Sequence, residues 1–377
     1  MSSVPPPPIS VAEAVAWVAA ARKAGIGVCP RGGGTQQAAL LPPTRPTWDL
    51  ALGRLNQLID HPARDLTVTV QAGMTVAQLQ SILAQAGQWL PVEVPHPHRT
   101  TIGGALAANA TGPRRFGLGA LRDYLIGIQF ISAGGAVIHA GGRVVKNVAG
   151  YDLGKLLIGS WGTLGLITQA SFKVLPRPPR ESWWTILVPG RAMDAVLPWL
   201  RTTGTRPVGV LGRWEEGGLR LTVGLMGSAA AVAWQEQRLQ EEWQAWGQSE
   251  PAEPPTPPGD EGIIVAQASV PPHQVLKCAE ELHALIGPNA DLSFALGVGT
   301  LRWSMADQVD PARVASWRQC VQRHGGVVVL RRFPTELAQV ETIWGPPRGD
   351  WPLMRHLKRT LDPDELWNPG RSFLSRD

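Results

Sequence analysis

The stretch Lys146–Thr168, KNVAGYDLGKLLIGSWGTLGLIT, decides how the rest of the chain is interpreted. It contains five glycines among valine, isoleucine and leucine, and it is not one ordinary helix because each interior glycine costs about 1 kcal/mol relative to alanine. Glycine at this density lets backbone approach a flat or charged group closely. From Gly162 the segment predicts a turn into a buried strand, with backbone groups near Gly165 and Ile167 available to the edge of a heterocycle. A glycine-rich crossover without a ligand explains the segment equally well.

A second glycine-rich loop, Pro30–Thr35 (PRGGGT), follows a predicted strand at Ile26–Cys29. Successive glycines can turn their N–H groups inward as a nest for an anion, and the loop adds the Thr35 hydroxyl and the Arg31 charge. The loop therefore predicts a pyrophosphate site, with a plain flexible turn as the alternative. It is not a Walker loop, since no Lys-Ser/Thr pair follows. It also lacks the G-x-x-G spacing of the doubly wound dinucleotide fold.

A third segment, Thr100–Asn109 (TTIGGALAAN), is rich in small residues. Glycine and alanine side chains leave room for a large planar ligand against the backbone. Close packing between helices uses small residues just as well, so this segment alone does not separate the two interpretations.

Composition limits the class of protein. A length of 377 residues suits two or three domains. The three cysteines, Cys29, Cys278 and Cys320, have no C-x-x-C spacing, which argues against a metal centre and fits a reducing compartment. Residues 1–10 show no cationic region followed by an apolar run, and no apolar stretch nears 18 residues, so neither a signal peptide nor a membrane span is predicted. The net charge of +5 is scattered and barely supports nucleic-acid binding.

The proline-rich run Pro176–Pro179 predicts a domain boundary, giving domains 1–178 and 179–377. Beyond it, strands and helices alternate in a pattern typical of an antiparallel sheet covered by helices on one face, an α+β arrangement. A final helix at Pro352–Leu361 is expected to dock through Leu353, Leu357 and Leu361.

Taken in order, the motifs resemble one family. PRGGGT, VTVQAGMTVAQLQ, TIGGALAANATG, RRFG, GGRVVKNVAGYDL and GSWGTLGLIT are similar to the FAD-binding domain of the vanillyl-alcohol-oxidase and p-cresol-methylhydroxylase (PCMH) type, over residues 10 to about 178. The tail LDPDELWNPGRSF resembles the C-terminal domain of FAD-linked oxidases. Together with WGPP, that tail is most similar to the E-subunit family of bacterial glycolate oxidase. The resemblance implies a PCMH-type FAD-binding domain followed by an α+β FAD-linked oxidase domain.

The resemblance also implies roles for matching positions. The first glycine loop should hold the FAD pyrophosphate, and a second set of residues should line the flavin and its ribityl chain. Gly165 and Ile167 should contact the adenine or the diphosphate edge. Asn368 should reach back to the flavin. Phe116 and Gly117 lie in a family loop near the cofactor. The loop residues are Arg31, Gly32, Gly33, Gly34 and Thr35, and the flavin-lining residues are Thr101, Gly103, Gly104, Asn109 and Gly112. Lys146, Asn147, Tyr151 and Asp152 have no clear place, and a structural role for Tyr151 and Asp152 is favoured.

The sequence departs from the family in two respects. The first loop has no His or Cys, so FAD is expected to bind non-covalently. The related catalytic subunits carry a His-x-Gly-Asp-Gly-Asn segment, whereas the nearest counterpart here, Leu296–Thr300, has no titratable residue. No catalytic residue and no metal ligand is therefore assigned. Arg302, Arg331 and Arg332 could bind a carboxylate or be surface charges; the second interpretation is slightly favoured.

The function implied by the resemblance is that of an FAD-dependent oxidoreductase. The chain would be a cytoplasmic subunit that takes part in the oxidation of a 2-hydroxy acid to a 2-oxo acid. Its implied partners are a homologous flavin subunit and an iron–sulfur subunit. The resemblance is compatible with peripheral membrane association through these partners. Two alternatives stay open, a self-sufficient FAD dehydrogenase for a hydroxy acid or alcohol and a non-catalytic scaffold that has kept the flavin fold.

Overall fold

The computed structural model describes residues 4–142, 152–256 and 262–375. In these ranges the helices are α1 (Val11–Lys23), α2 (Val76–Ala84), α3 (Ile102–Ala107), α4 (Arg115–Leu118), α5 (Leu121–Tyr124), α6 (Leu153–Leu157), α7 (Met193–Thr202), α8 (Ala229–Trp243), α9 (Val275–Ile286), α10 (Pro311–Arg323), α11 (Val340–Trp344) and α12 (Trp351–Leu361). Short 3-10 helices lie at Gln37–Ala39, Ala63–Asp65, Gly190–Ala192, Pro272–Gln274 and Thr335–Leu337.

The strands in the same ranges are β1 (Gly27–Arg31), β2 (Thr47–Ala51), β3 (Leu58–Asp60), β4 (Thr67–Gln71), β5 (Gln88–Trp89), β6 (Leu125–Ile131), β7 (Val137–Gly141), β8 (Leu166–Lys173), β9 (Leu175–Pro176), β10 (Arg180–Pro189), β11 (Gly209–Glu215), β12 (Gly218–Gly227), β13 (Ser249–Ala252), β14 (Ile264–Ser269), β15 (Asp291–Ala295), β16 (Thr300–Met305) and β17 (Val327–Arg332).

The chain forms two compact units. The first contains Met1–Thr111, Ala120–Arg177 and Pro346–Asp377, and the second contains Gly112–Gly119 and Pro178–Gly345. The change at residues 177–178 falls in the proline-rich run. The tail returns to the first unit, and the short segment from Gly112 belongs to the second.

The first unit is built on an antiparallel five-stranded sheet in the order β3-β4-β8-β6-β7, with a parallel pair β1-β2 and a small pair β5-β9. Strand β4 is buried along its whole length, so its polar side chains need partners, and Thr69 shares a 2.8 Å hydrogen bond with Ser171 on β8. After β4 the chain turns into α2, which starts with a capping box between Thr75 and Gln78. These elements bring the glycine-rich segments to one region of the unit.

Helix α12 docks in the first unit by a different face from the predicted one. Leu353 is 64% exposed, whereas Trp351 and Lys358 are buried. Trp351 stacks on Phe373 with ring centroids 4.3 Å apart. Residues seven apart lie on the same side of a helix, so Trp351 and Lys358 define one docking face. Leu361 of the predicted leucine face does pack against the core of the first unit, so the prediction was wrong for the exposed Leu353, whose place in the docking face is taken by Trp351 and Lys358.

The second unit is an antiparallel eight-stranded sheet in the order β13-β10-β12-β11-β15-β16-β14-β17. Helices pack on it through large aromatic side chains, as shown by the fully buried Trp303 on β16 and Trp317 on α10, whose rings meet edge to face at 5.6 Å. The predicted antiparallel sheet is present. No helix in the described ranges is long and apolar enough to cross a membrane.

Candidate cofactor site

A cleft in the first unit collects the three glycine-rich segments and the tail. It contains about 720 Å³ of space free of protein atoms, part of which is open solvent. None of the described lining residues carries an ionisable side chain. They are Pro30, Gly32, Gly33, Gly34, Thr35, Gln36, Gln37, Leu40, Leu52, Thr101, Gly103, Gly104, Ala107, Ala108, Trp161, Gly162, Gly165, Leu166, Ile167 and Asn368.

The first glycine loop presents backbone donors to this cleft. Within the described ranges, the N–H groups of Gly33, Gly34 and Thr35 donate to no protein acceptor. Gly34 has φ of +72°, so it adopts the left-handed conformation that glycine tolerates best. Successive backbone N–H groups without partners are what an anion nest requires.

Two side chains of this loop do not play their expected parts. The Arg31 guanidinium lies 2.8 Å from the Asp49 carboxylate and is absent from the cleft lining. The Thr100 hydroxyl donates to the Pro95 carbonyl, so the Thr35 hydroxyl must donate its own proton to Thr100 Oγ1 at 3.0 Å. In this arrangement the loop offers an anion its backbone N–H groups rather than the Arg31 charge or the Thr35 proton.

The glycines of the cleft divide into packing and open positions. A Cβ at Gly33 would lie 1.7 Å from the Arg99 carbonyl oxygen, and one at Gly103 would lie 2.8 Å from Ala72 Cβ, so both glycines are required by protein packing. A Cβ at Gly104 would meet only Thr101 Oγ1, at 3.1 Å. Gly103 therefore serves close packing, whereas Gly104 has room beside it in the cleft, and its contact with a planar ligand stays a prediction.

Asn368 contributes the least satisfied polar atom of the cleft. It is 1% exposed, with φ of +46°, and its Nδ2 group donates to the carbonyls of Trp161 at 2.8 Å and Gly162 at 3.2 Å. Because both neighbours are acceptors, the orientation of the amide is fixed. Its Oδ1 atom is buried and has no partner in the part of the chain that the structure describes. Such an acceptor is costly unless a ligand donates to it.

A buried ion pair behind this cleft was not predicted from the sequence. Lys358 on α12 contacts the Asp362 carboxylate, and the two side chains are 1% and 0% exposed. Burial lowers the pKa of the Lys358 ammonium, and the Asp362 charge opposes that shift. The i, i+4 spacing of Lys358 and Asp362 was the available signal, but the spacing is common on exposed helix faces and does not indicate burial.

The structure leaves several predicted residues outside the cleft lining. Thr101 caps α3, with its hydroxyl accepting from Gly104 N–H, and remains in the lining, as do Gly165 and Ile167. Asn109 has φ of +49° and is not in the lining. Gly112, Phe116 and Gly117 belong to the second unit and are not among the described residues that line the cleft, so their contact with the cofactor stays a prediction.

In the second unit, these residues have packing partners. The Phe116 ring lies against Gly297, where a Cβ would come within 2.2 Å of the ring. Gly117 N–H donates to the Val208 carbonyl at 2.9 Å. Arg302, Arg331 and Arg332 also belong to this unit, and Arg332 is exposed.

Of the four residues without a clear place, Lys146, Asn147 and Tyr151 lie outside the described residues. Asp152 accepts from the Lys155 N–H at 3.0 Å and caps α6. Burial alone would raise the pKa of its carboxyl, but the hydrogen bonds and charge of Lys155 outweigh burial and lower it. Asp152 therefore stabilises a helix end, in keeping with the favoured structural role.

These features fit a dinucleotide cofactor. The described cleft lining has no charged side chain, and its first glycine loop has unpaired N–H groups that can bind a pyrophosphate. The open side of Gly104 leaves space for a planar group. The Oδ1 atom of Asn368 can accept a hydrogen bond from an N–H or O–H group. Residues 7–141 match the family described as "FAD binding domain". Over these residues the chain thus matches an FAD-binding domain, as the resemblance implied, and the prediction of FAD as the cofactor is confirmed.

The relatives are more specific than the domain. The chain is 42% identical over 122 residues to glycolate oxidase subunit GlcE of Escherichia coli (strain K12), which covers 32% of this chain and 35% of that protein. It is 36% identical over 168 residues to glycolate oxidase subunit GlcD of Bacillus subtilis (strain 168), covering 45% and 35%. The chain therefore spans about a third of the length of these curated relatives.

Solved structures extend the likeness to nearly the whole chain. Substrate-bound p-cresol methylhydroxylase superposes with a TM-score of 0.76 at 15% identity, covering 97% of this chain and 88% of that one. An alkyldihydroxyacetonephosphate synthase gives a TM-score of 0.71 at 18% identity, covering 96% and 75%. Identity this low establishes the fold alone, and the predicted α+β, PCMH-type fold is confirmed.

Proposed function

We propose that this chain is an FAD-dependent oxidoreductase that serves as the FAD-binding subunit of a glycolate oxidase-like complex. The complex would oxidise a 2-hydroxy acid to a 2-oxo acid. One observation carries the proposal: the FAD cleft of the first unit has unpaired donors and an unpaired acceptor, but no ionisable side chain in its described lining. The names of the matching relatives supply the substrate class.

The chemistry divides between the cofactor and the chain. Bound FAD would supply a two-electron redox centre to the proposed complex. In the proposal, the N–H groups of Gly33, Gly34 and Thr35 hold the pyrophosphate, and Asn368 Oδ1 accepts a hydrogen bond from the cofactor. Thr101, Gly104, Gly165 and Ile167 border it. FAD is held without a covalent bond because the described lining has no His or Cys.

The substrate must also lose the proton of its hydroxyl group. A positioned general base typically contributes about 10²–10⁴-fold to such a step. The described part of the cleft lining has no candidate, and Leu296–Thr300 in the second unit has none. We therefore assign the base to a homologous flavin subunit and onward electron transfer to an iron–sulfur subunit. A cytoplasmic location completes the proposal and agrees with the three cysteines being free thiols.

The test is anaerobic mixing of the isolated FAD-loaded chain with glycolate and with D-lactate, followed by flavin absorbance. Little or no bleaching is expected for the chain alone, and bleaching is expected after addition of the homologous flavin subunit. Rapid and complete bleaching of the chain alone would establish a self-sufficient dehydrogenase instead.

The flavin content of the same preparation separates the remaining alternative. Acid or heat denaturation should release all of the FAD from the polypeptide. A chain that neither retains FAD during purification nor binds added FAD would be a scaffold that has kept only the fold.

A further inference from the structure

A lysine outside every cofactor motif joins two separate parts of the cleft wall. Lys358 Nζ donates to the Thr163 carbonyl at 2.8 Å, to the Trp367 carbonyl at 3.0 Å and to the Asp362 carboxylate. An ammonium group has three N–H donors, so each of them has an acceptor. The side chain is 1% exposed, and water does not compete for these bonds.

The two carbonyls lie directly behind cleft residues. Thr163 follows Gly162, and Trp367 precedes Asn368; Gly162 and Asn368 both line the cleft. The same two cleft residues are bonded to each other, because Asn368 Nδ2 donates to the Gly162 carbonyl at 3.2 Å. Lys358 therefore binds the same two backbone segments that the Asn368 side chain connects by its hydrogen bond to Gly162.

Asp362 completes the arrangement. Its Oδ1 accepts from Leu366 N–H at 2.8 Å, and its Oδ2 accepts from Trp367 N–H at 2.9 Å. The carboxylate thereby closes the turn between α12 and Asn368, in which Glu365 has φ of +48°. A buried carboxylate needs a compensating charge, and in this turn the Lys358 ammonium provides it.

We propose that Lys358 is a positioning residue for FAD. It holds Asn368 and the Trp161–Gly165 segment in the arrangement that binds the cofactor, without touching the cofactor itself. This inference rests on the assignment of the cleft as the FAD site. A lysine that served only the stability of the unit would leave the FAD affinity of the folded chain unchanged, whereas a positioning lysine acts on that affinity through Asn368.

The test is a double-mutant cycle on the dissociation constant of FAD. Lys358→Met keeps most of the alkyl stem and removes the donors, Asn368→Ala removes the carboxamide, and the third variant combines them. FAD is titrated into each apo chain well below its unfolding temperature. Each single change should raise the dissociation constant about tenfold, and the double change should raise it little further, because residues that act as a unit are not additive.

Two results would overturn the inference. One is an unchanged dissociation constant for Lys358→Met, and the other is a double variant whose loss equals the product of the single losses, about a hundredfold. Lys155→Met is the matched control, since Lys155 is 54% exposed in the same unit and pairs with Asp152. It should bind FAD as the wild type does.

A second variant, which breaks the same buried ion pair from its other side, covers the case in which Lys358→Met does not fold. Asp362→Asn leaves the lysine its two carbonyl acceptors but weakens the turn, and it should raise the dissociation constant about threefold, again without additivity to Asn368→Ala. Gly104→Val separates this inference from the site assignment. If Gly104→Val weakens FAD binding while Lys358→Met and Asp362→Asn do not, only the positioning role fails. If Gly104→Val binds FAD normally, the cleft assignment fails, and the positioning role with it.

Discussion

The buried Asn368 in the first unit and the largely buried Glu242 in the second differ in whether their side-chain oxygens accept hydrogen bonds from the protein. Glu242 is 12% exposed in its side chain and accepts from Trp199 Nε1 at 2.8 Å, Thr203 Oγ1 at 2.7 Å, Gly204 N–H at 3.0 Å and Arg238 Nε at 2.9 Å. Asn368 Oδ1 accepts from no described residue.

The difference separates a group that serves the fold from one that awaits a ligand. A buried acceptor left without a donor costs about 1–3 kcal/mol, so it persists where another gain offsets the cost. Each donor around Glu242 is already used within the unit, which makes Glu242 a structural carboxylate. Asn368 lines the cleft, and in the proposed site its unpaired Oδ1 atom is a cofactor contact.

The largest expected effect is the loss of stability on Glu242→Ala. Four donors would lose their acceptor, and we expect the free energy of unfolding to fall by about 3 kcal/mol, measured by chemical denaturation. The affinity for FAD should not change, because Glu242 is outside the cleft. Glu241→Ala is the matched control; its carboxylate is 52% exposed and lies 3.6 Å from the same Arg238, so its loss should stay below about 0.5 kcal/mol. An equal fall in the free energy of unfolding for the two variants would show that Glu242 stabilises the fold no more than the exposed Glu241 does.

Asn368→Ala should show the opposite profile. We expect the dissociation constant of FAD to rise about tenfold, equivalent to about 1.4 kcal/mol, while the free energy of unfolding of the apo chain changes by less than about 1 kcal/mol. The stability change is small because the variant removes an unpaired acceptor together with two hydrogen bonds. A variant that loses stability but keeps its FAD affinity would place Asn368 in the same class as Glu242.

The smallest expected effect is on the acid side of the stability profile. Burial alone would raise the pKa of Glu242, but the hydrogen bonds from Gly204, Thr203 and Trp199, with the Arg238 charge, lower it below the ordinary 4.5. A carboxyl whose pKa is lower in the folded state stabilises the fold above its unfolded pKa, and this contribution is lost as pH falls through the folded pKa. Glu242→Gln should therefore lose less stability than the wild type below about pH 4.5. Parallel profiles for the two chains would show that Glu242 does not contribute.

The sequence predicted the segments of the cleft better than the roles of their residues. PRGGGT, TIGGALAAN, the Gly162–Thr168 strand entry and the Asn368 tail all meet in the cleft, because each carries a local backbone signal that survives folding. Their contact with FAD remains a proposal. The roles of Arg31 and Thr35 depended on partners distant in sequence, Asp49 and Thr100, which no local pattern reveals.

Other features could not be predicted for the same physical reason. Gly103 and Gly104 are adjacent and chemically identical, yet only packing against Ala72 distinguishes them. The segment Gly112–Gly119 lies in the second unit, although its family resemblance suggested a place near the cofactor. The burial of Lys358 could not be predicted, because the sequence does not show the two carbonyls that accept from its ammonium group.

We propose that FAD binds in the cleft of the first unit, whose described lining has no charged side chain. Titration of the Gly104→Val variant with FAD is the most direct test of this assignment. Valine is no worse than glycine in a helix, but its Cβ would lie 3.1 Å from Thr101 Oγ1, which must shift slightly, so the unfolding temperature of the apo chain is measured alongside the titration. Gly53→Val, at a position with nothing within 4 Å, is the control. We expect Gly104→Val to lose at least tenfold in FAD affinity, because overpacking costs about 1–3 kcal/mol. The Gly53→Val control should bind FAD with wild-type affinity. Wild-type affinity in Gly104→Val would contradict the assignment.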